Sequence, residues 1–203
     1  MDEKPTTLDA PKIPENTRVI IAMPTQNTVQ TLCAFSLVQA VRNVDFDVDF
    51  IVRMGCDIIG SRVWLVKKAR EMGGSHMLFV DDDMFFAANK NNPIETLLSR
   101  EKDIIGAPYN FRQLPLKSTA TPLTDITPTD TLYKCKAVGT GFLLIKLSVF
   151  DVIPEPWFRF ARSSDWELVQ GEDAFFCEVA QKAGFDVWVD PSVKVSHIGE
   201  YLF

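Results

Sequence analysis

The chain has 203 residues, 46% hydrophobic and 24% charged, which suits one globular core and is short for a multidomain enzyme. Its formal charge of −6 and pI of about 5.0 leave no electrostatic footprint for nucleic acid or an anionic membrane surface. Four cysteines without a C-x-x-C pair and only two histidines exclude a zinc-finger pattern, so Cys33, Cys56, Cys135 and Cys177 read as reduced, mostly buried thiols.

The opening MDEKPTTLDAPKIPENT carries acids and prolines where a signal peptide needs an apolar stretch, and no later run approaches the ~18 apolar residues of a membrane span. The expectation is a cytoplasmic protein with a flexible tail over 1–17, one domain over 18–203 and no membrane span. Arg18 to Met23 is a β-branched apolar strand stopped by Pro24, as in the middle of a parallel sheet. After a polar turn, Leu32, Phe35, Leu37, Val38 and Val41 recur at helical spacing and predict a helix from Val29 to Val41. Beyond the carboxyl end of that first strand, Thr25 and Asn27 are placed either to touch a ligand or to serve as ordinary turn residues.

Asp47 to Val52 alternates like a second strand. Ser61 is placed to cap a helix running through Arg70 and stopped at Gly73-Gly74, with Arg62 in its first turn. A cation there opposes the helix dipole, which makes a grip on phosphate or base one reading of Arg62. His76 to Val80 then forms a buried strand, completing a βαβαβ order.

That strand ends in Asp81-Asp82-Asp83. If the strand alternation continues, Asp81 and Asp83 share a side and Asp82 points away. Three adjacent like charges beside an apolar flank call for a cation, and a hard divalent ion, Mg²⁺ or Mn²⁺, fits oxygen ligands; the plainer alternative is a solvated turn or an N-cap.

Downstream, 93–99 reads as a short helix with Pro93 at its start, and 103–107 as a strand. The Thr- and Pro-rich stretch 113–131 reads as a long loop or loose hairpin. Gly139-Thr140-Gly141 precedes an apolar strand and lacks a third glycine, so it fails the dinucleotide fingerprint and suggests close backbone packing. Trp157 and Phe158 would serve either as a platform for a sugar face or as core. Glu172 and Asp173 stand at the start of a helix over 174–180 ended by Gly184, where acids are often only partners of the helix dipole. His197 lies at the end of a last strand, 193–199.

In their order and spacing, VIIAMPTQN, GSRVW, LFVDDDM, DIIGAPYNFR, VGTGFLLIK and GEDAFFCEVAQKAGFDVWVDPSVKVSHIG resemble the nucleotide-sugar glycosyltransferases of the GT-A fold, closest to the family 2-like group. The resemblance spans Val19 to Gly199 and implies a single α/β domain, Rossmann-like, whose central mixed, mainly parallel sheet is flanked by helices. It implies metal-dependent transfer of a sugar from a nucleoside-diphosphate sugar, UDP-sugar favoured, to a hydroxyl of a glycan or glycoprotein acceptor. The family's D-x-D acids match Asp81 and Asp83, and its late metal-binding histidine matches His197, so these three would hold Mn²⁺ or Mg²⁺. Its base in inverting members matches Asp173. Pro24, Thr25, Asn27, Arg62, Asp81, Asp82, Gly141 and Glu172 would contact the donor. Relatives carry Ala-Arg-Asn where this chain has Ser61-Arg62-Val63. Two other readings stay open: a nucleotidyltransferase, which also pairs acids with a metal but releases pyrophosphate, and a non-catalytic sugar-nucleotide or glycan-binding module.

Overall fold

The computed structural model describes residues 12–42, 44–88, 91–124 and 131–199. In chain order these form β1 (Arg18–Thr25), α1 (Thr31–Val41), β2 (Asp47–Met54), α2 (Ile58–Glu71), β3 (His76–Val80), β4 (Met84–Phe86), α3 (Pro93–Ser99), β5 (Ile104–Gly106) and β6 (Thr121–Pro122). Then follow β7 (Tyr133–Ala137), β8 (Phe142–Lys146), α4 (Val149–Val152), β9 (Ala161–Arg162), β10 (Leu168–Gln170), α5 (Glu172–Lys182), β11 (Val187–Val189) and β12 (Val195–His197).

Eight of the strands make one mixed sheet in the order β2-β1-β3-β8-β5-β11-β7-β6. β1 runs parallel to β2 and β3, and β5 parallel to β11, while β8 lies antiparallel between β3 and β5. The alternation of β1 divides the core: Ile20 and Ala22 join a cluster with Leu65 and Val66 of α2, Phe150 of α4 and Phe176 of α5, whereas Val19, Ile21 and Met23 join Leu37 of α1 and Leu97 of α3. Helices thus cover both faces, which is why the inner strands read as unbroken apolar runs. The last four residues of β3 are fully buried, and each side chain of that size contributes about 1.5–3 kcal/mol. No helix among the described residues is long and apolar enough to cross a membrane.

Several elements differ from the sequence reading. β1 continues through Pro24 to Thr25, because at the end of a strand a proline removes only one ladder donor. In α1 the buried face is Cys33, Ser36, Leu37 and Ala40, while Leu32, Phe35 and Val38 are exposed. The small residues win because the helix sits close on β4 of the separate β4–β12 ribbon: Ser36 Oγ accepts from Phe86 N–H at 3.1 Å. α2 begins three residues before Ser61, capped by Asp57, whose carboxylate accepts from Gly60 N–H. Arg62 therefore sits in the second turn and is buried. Trp157 and Phe158 are core residues, at 3% and 1% exposure, and present no platform. α5 starts at Glu172. Within 113–131, β6 pairs antiparallel with β7 and Asn110 bridges Ser118, so this stretch is in part a hairpin; residues 125–130, and residues 1–11 of the predicted tail, lie outside the described residues.

His76 opens β3 with its ring buried, and burial, with Lys146 nearby, lowers its pKa from 6.5 to about 4. The unfolded chain therefore takes up a proton between pH 6.5 and 4 that the folded chain refuses, so stability falls as pH drops through that window, by at most about 3 kcal/mol. In urea unfolding at pH 7 and pH 4.5, the parent is expected to lose more stability than His76→Leu; parallel losses would refute the assignment.

Candidate active site

The acids stand where β3 leaves the sheet. The register pairs Val80 with Phe142 of β8, and Asp81 N–H donates to Gly141 O at 3.0 Å, which brings the Gly139–Gly141 backbone beside them. The strand itself stops at Val80, and Met84 N–H donates back to Asp81 O at 3.3 Å. The three aspartates are thus a turn, strand alternation no longer governs them, and Asp82 does not point away. All three line one cavity of ≈ 250 Å³ together with Pro24, Thr25, Gln26, Arg112 and His197.

A second ribbon delivers the histidine. β12 pairs antiparallel with β4, opposing His197 to Met84, and Ile198 N–H donates to Asp83 O at 2.8 Å. His197 Nδ1 lies 3.2 Å from the carbonyl oxygen of Asn110, which can only accept, so Nδ1 carries the hydrogen. In the neutral ring Nε2 is then a lone pair, and it faces Asp83 Oδ1 at 3.2 Å. Asp83 Oδ1 is buried and, among the described residues, has no hydrogen-bond partner. Two acceptors can share such a gap only with a proton or a metal cation between them.

The remaining oxygen of that carboxylate, Asp83 Oδ2, lies 2.9 Å from Arg112 Nη1. Burial pushes the Asp83 carboxyl up, but the hydrogen bond and charge that His197 supplies when a proton sits on Nε2, together with Arg112, outweigh it and hold it below the ordinary value. Asp82 accepts from Thr25 Oγ1 at 2.5 Å, and burial nevertheless raises it, with the charges of Asp83 and Asp81 adding. Among the described residues no group of three or more His, Cys, Asp or Glu side chains is arranged as a metal cage. What the turn and the β4–β12 ribbon do bring together is one carboxylate oxygen and one imidazole nitrogen, Asp83 Oδ1 and His197 Nε2.

Behind the cavity, Arg62 binds two acids. Nη2 lies 3.1 Å from Asp81 Oδ1 and Nε 3.4 Å from Glu172 Oε1, with the guanidinium 5.2 Å from the centre of the Phe79 ring. Burial opposes its charge, and Asp81 and Glu172 together overcome that penalty. One nitrogen, Nη1, is buried without a partner among the described residues. The ion pair ties the start of α5 to the end of β3 and so fixes Asp173 relative to the aspartate turn. Asp173 Oδ1 accepts from Ala174 N–H at 2.7 Å, and its carboxyl is raised by burial and by Glu172.

Tyr109, which the sequence reading left without a role, joins these parts. Its Oη accepts from Gly141 N–H at 2.9 Å, and its ring meets His197 edge-on at 5.4 Å. A Cβ at Gly141 would approach Tyr109 Oη to 2.6 Å and Met84 Cε to 2.7 Å, so the buried phenol is what demands glycine there. Burial raises the phenol pKa and keeps it neutral. The spacing of PYN after a strand and GTG before one was the available signal, but nothing local says that the two meet. Nor does the sequence assign Arg112 a role beyond its place in DIIGAPYNFR. Asn27 is exposed and does not line the cavity; its neighbour Gln26 does.

No family model matches the chain, and a comparison with curated proteins finds no match. Solved structures do match in fold. A crystal structure of A197 from STIV aligns with a TM-score of 0.65 at 18% identity, covering 91% of this chain and 87% of that one. A crystal structure of GalNAc-T7 with UDP, GalNAc and Mn²⁺ aligns with a TM-score of 0.61 at 12% identity, covering 91% of this chain. The alignment takes in 44% of the GalNAc-T7 chain, less than half its length. At these identities the likeness is one of fold alone, a GT-A-like α/β fold.

Proposed function

We propose that this chain is a metal-dependent glycosyltransferase that moves a sugar from a nucleoside-diphosphate sugar, UDP-sugar favoured, to an acceptor hydroxyl with inversion. The observation that carries the reading is the facing pair, His197 Nε2 and the unpartnered Asp83 Oδ1, in a cavity that two further carboxylates line. Asp83 and His197 would hold Mn²⁺ or Mg²⁺, which would supply Lewis-acid stabilisation of a departing diphosphate. Pro24, Thr25, Asp82 and Gly141 shape the donor side, and Arg62 and Glu172 hold Asp81 in place, which leaves Asp81 to the ribose or the ion. Asp173 takes the proton of the acceptor hydroxyl as its oxygen attacks the anomeric carbon. The anomeric C–O bond breaks on the opposite face and the nucleoside diphosphate leaves with that electron pair. A carboxyl raised by burial is a stronger base than an exposed aspartate, which suits this role.

The test is ligand stabilisation followed by product analysis. With Mn²⁺ and UDP at 100 times the dissociation constant, unfolding free energy should rise by roughly 2.7 kcal/mol. EDTA or Asp83→Asn should abolish the gain. Turnover should release nucleoside diphosphate and an inverted anomer. Stabilisation that survives EDTA, or release of pyrophosphate, would remove this reading in favour of a binding module or a nucleotidyltransferase.

A further inference from the structure

Asp83 carries a cation of the chain's own. Arg112 Nη1 sits 2.9 Å from Asp83 Oδ2, although the Arg112 side chain is 56% exposed. Among the described residues its flanks are held by Phe111 N–H to Lys117 O, Gln113 N–H to Phe111 O and His197 Nδ1–H to Asn110 O, beside the Asn110–Ser118 bridge. Arg112 and His197 also border a second cavity of ≈ 830 Å³, walled by Phe111, Leu116 and Ile198. The guanidinium therefore stands on the partition between two cavities, with open space on either side.

Resting on the metal reading above, we propose that Arg112 is an exchangeable counter-ion of Asp83. In the ligand-free protein it neutralises the carboxylate. It swings off Asp83 when a divalent ion binds there, because two cations on one carboxylate repel each other. It then turns its fork to the diphosphate, whose oxygens match a guanidinium in bidentate geometry. Arg112 thus opposes the bare ion and favours the ion together with diphosphate. A solvated surface arginine would affect neither, and a merely structural one would weaken both when removed.

The experiment measures Mn²⁺ binding by the electron paramagnetic resonance of the free ion, in the parent, Arg112→Gln and Asp83→Asn. Pyrophosphate and UDP binding are then measured by calorimetry at saturating Mn²⁺, after thermal unfolding shows that each variant is folded. Arg112→Gln should bind bare Mn²⁺ about tenfold tighter and both diphosphates about tenfold weaker, the scale of one charge-assisted hydrogen bond. Unchanged or weaker Mn²⁺ binding in Arg112→Gln, with saturable binding in the parent that Asp83→Asn removes, overturns the exchange and leaves the metal site standing. A loss confined to UDP overturns the diphosphate contact. Absence of saturable Mn²⁺ binding in the parent overturns the exchange and the metal reading alike.

Discussion

Replacing Asp173 by Asn is expected to lower turnover by about 10³-fold, within the 10²–10⁴ range of a positioned general base, while UDP affinity in Mn²⁺ stays within about twofold of the parent. The substitution keeps size and shape. Asp173 Oδ1 accepts from Ala174 N–H at 2.7 Å at the start of α5, and an amide oxygen can accept that bond equally well. What the amide cannot do is take a proton from an attacking hydroxyl. Steady-state turnover beside a calorimetric dissociation constant separates the two properties. The pH profile adds a check with a definite sign: the base works only when ionised, and burial raises its pKa, so the acid limb of turnover should lie above the ordinary aspartate value and vanish in the variant. Turnover in Asp173→Asn within about threefold of the parent would contradict a contribution of this size.

Arg62→Met should cost about 3–5 kcal/mol of unfolding free energy in urea, the usual penalty for removing one partner of a buried ion pair. Arg62 is 3% exposed and faces Asp81 and Glu172, whose side chains are 26% and 15% exposed. Without the guanidinium two carboxylates face each other in a half-dry site. Neutralising them as well, in Arg62→Met/Asp81→Asn/Glu172→Gln, should recover most of the loss, because the penalty lies in the stranded charges. Arg62→Lys should recover little, since an ammonium cannot present the separate Nε and Nη2 donors that reach two acids on different elements. A loss below about 1 kcal/mol in Arg62→Met would mean that the pair behaves like an exposed one.

The βαβαβ order from Val19 to Val80 was legible because inner strands of a sheet covered on both faces must be continuously apolar, as β1 and β3 are. α1 shows the limit of the same logic. Helical periodicity groups residues that share a face, but it does not say which face meets the sheet, and here the smaller residues do. The aspartate turn shows another limit: the alternation that separates Asp82 from its neighbours holds only while the strand lasts, and β3 ends at Val80, before the first aspartate.

For the site, residue types and their spacing set the inventory: carboxylates at the end of a buried strand, a second acidic pair opening a helix, and a late histidine. These are local facts, set by composition and by periods of two or 3.6 residues. The tertiary structure alone decided which of them meet. His197 reaches Asp83 through the β4–β12 register, Arg62 reaches Asp81 and Glu172 across the core, and Tyr109 fills the space that Gly141 leaves open. Such contacts depend on strand pairing between distant segments, and a one-residue slip in that pairing would turn every side chain to the opposite face without changing any local pattern.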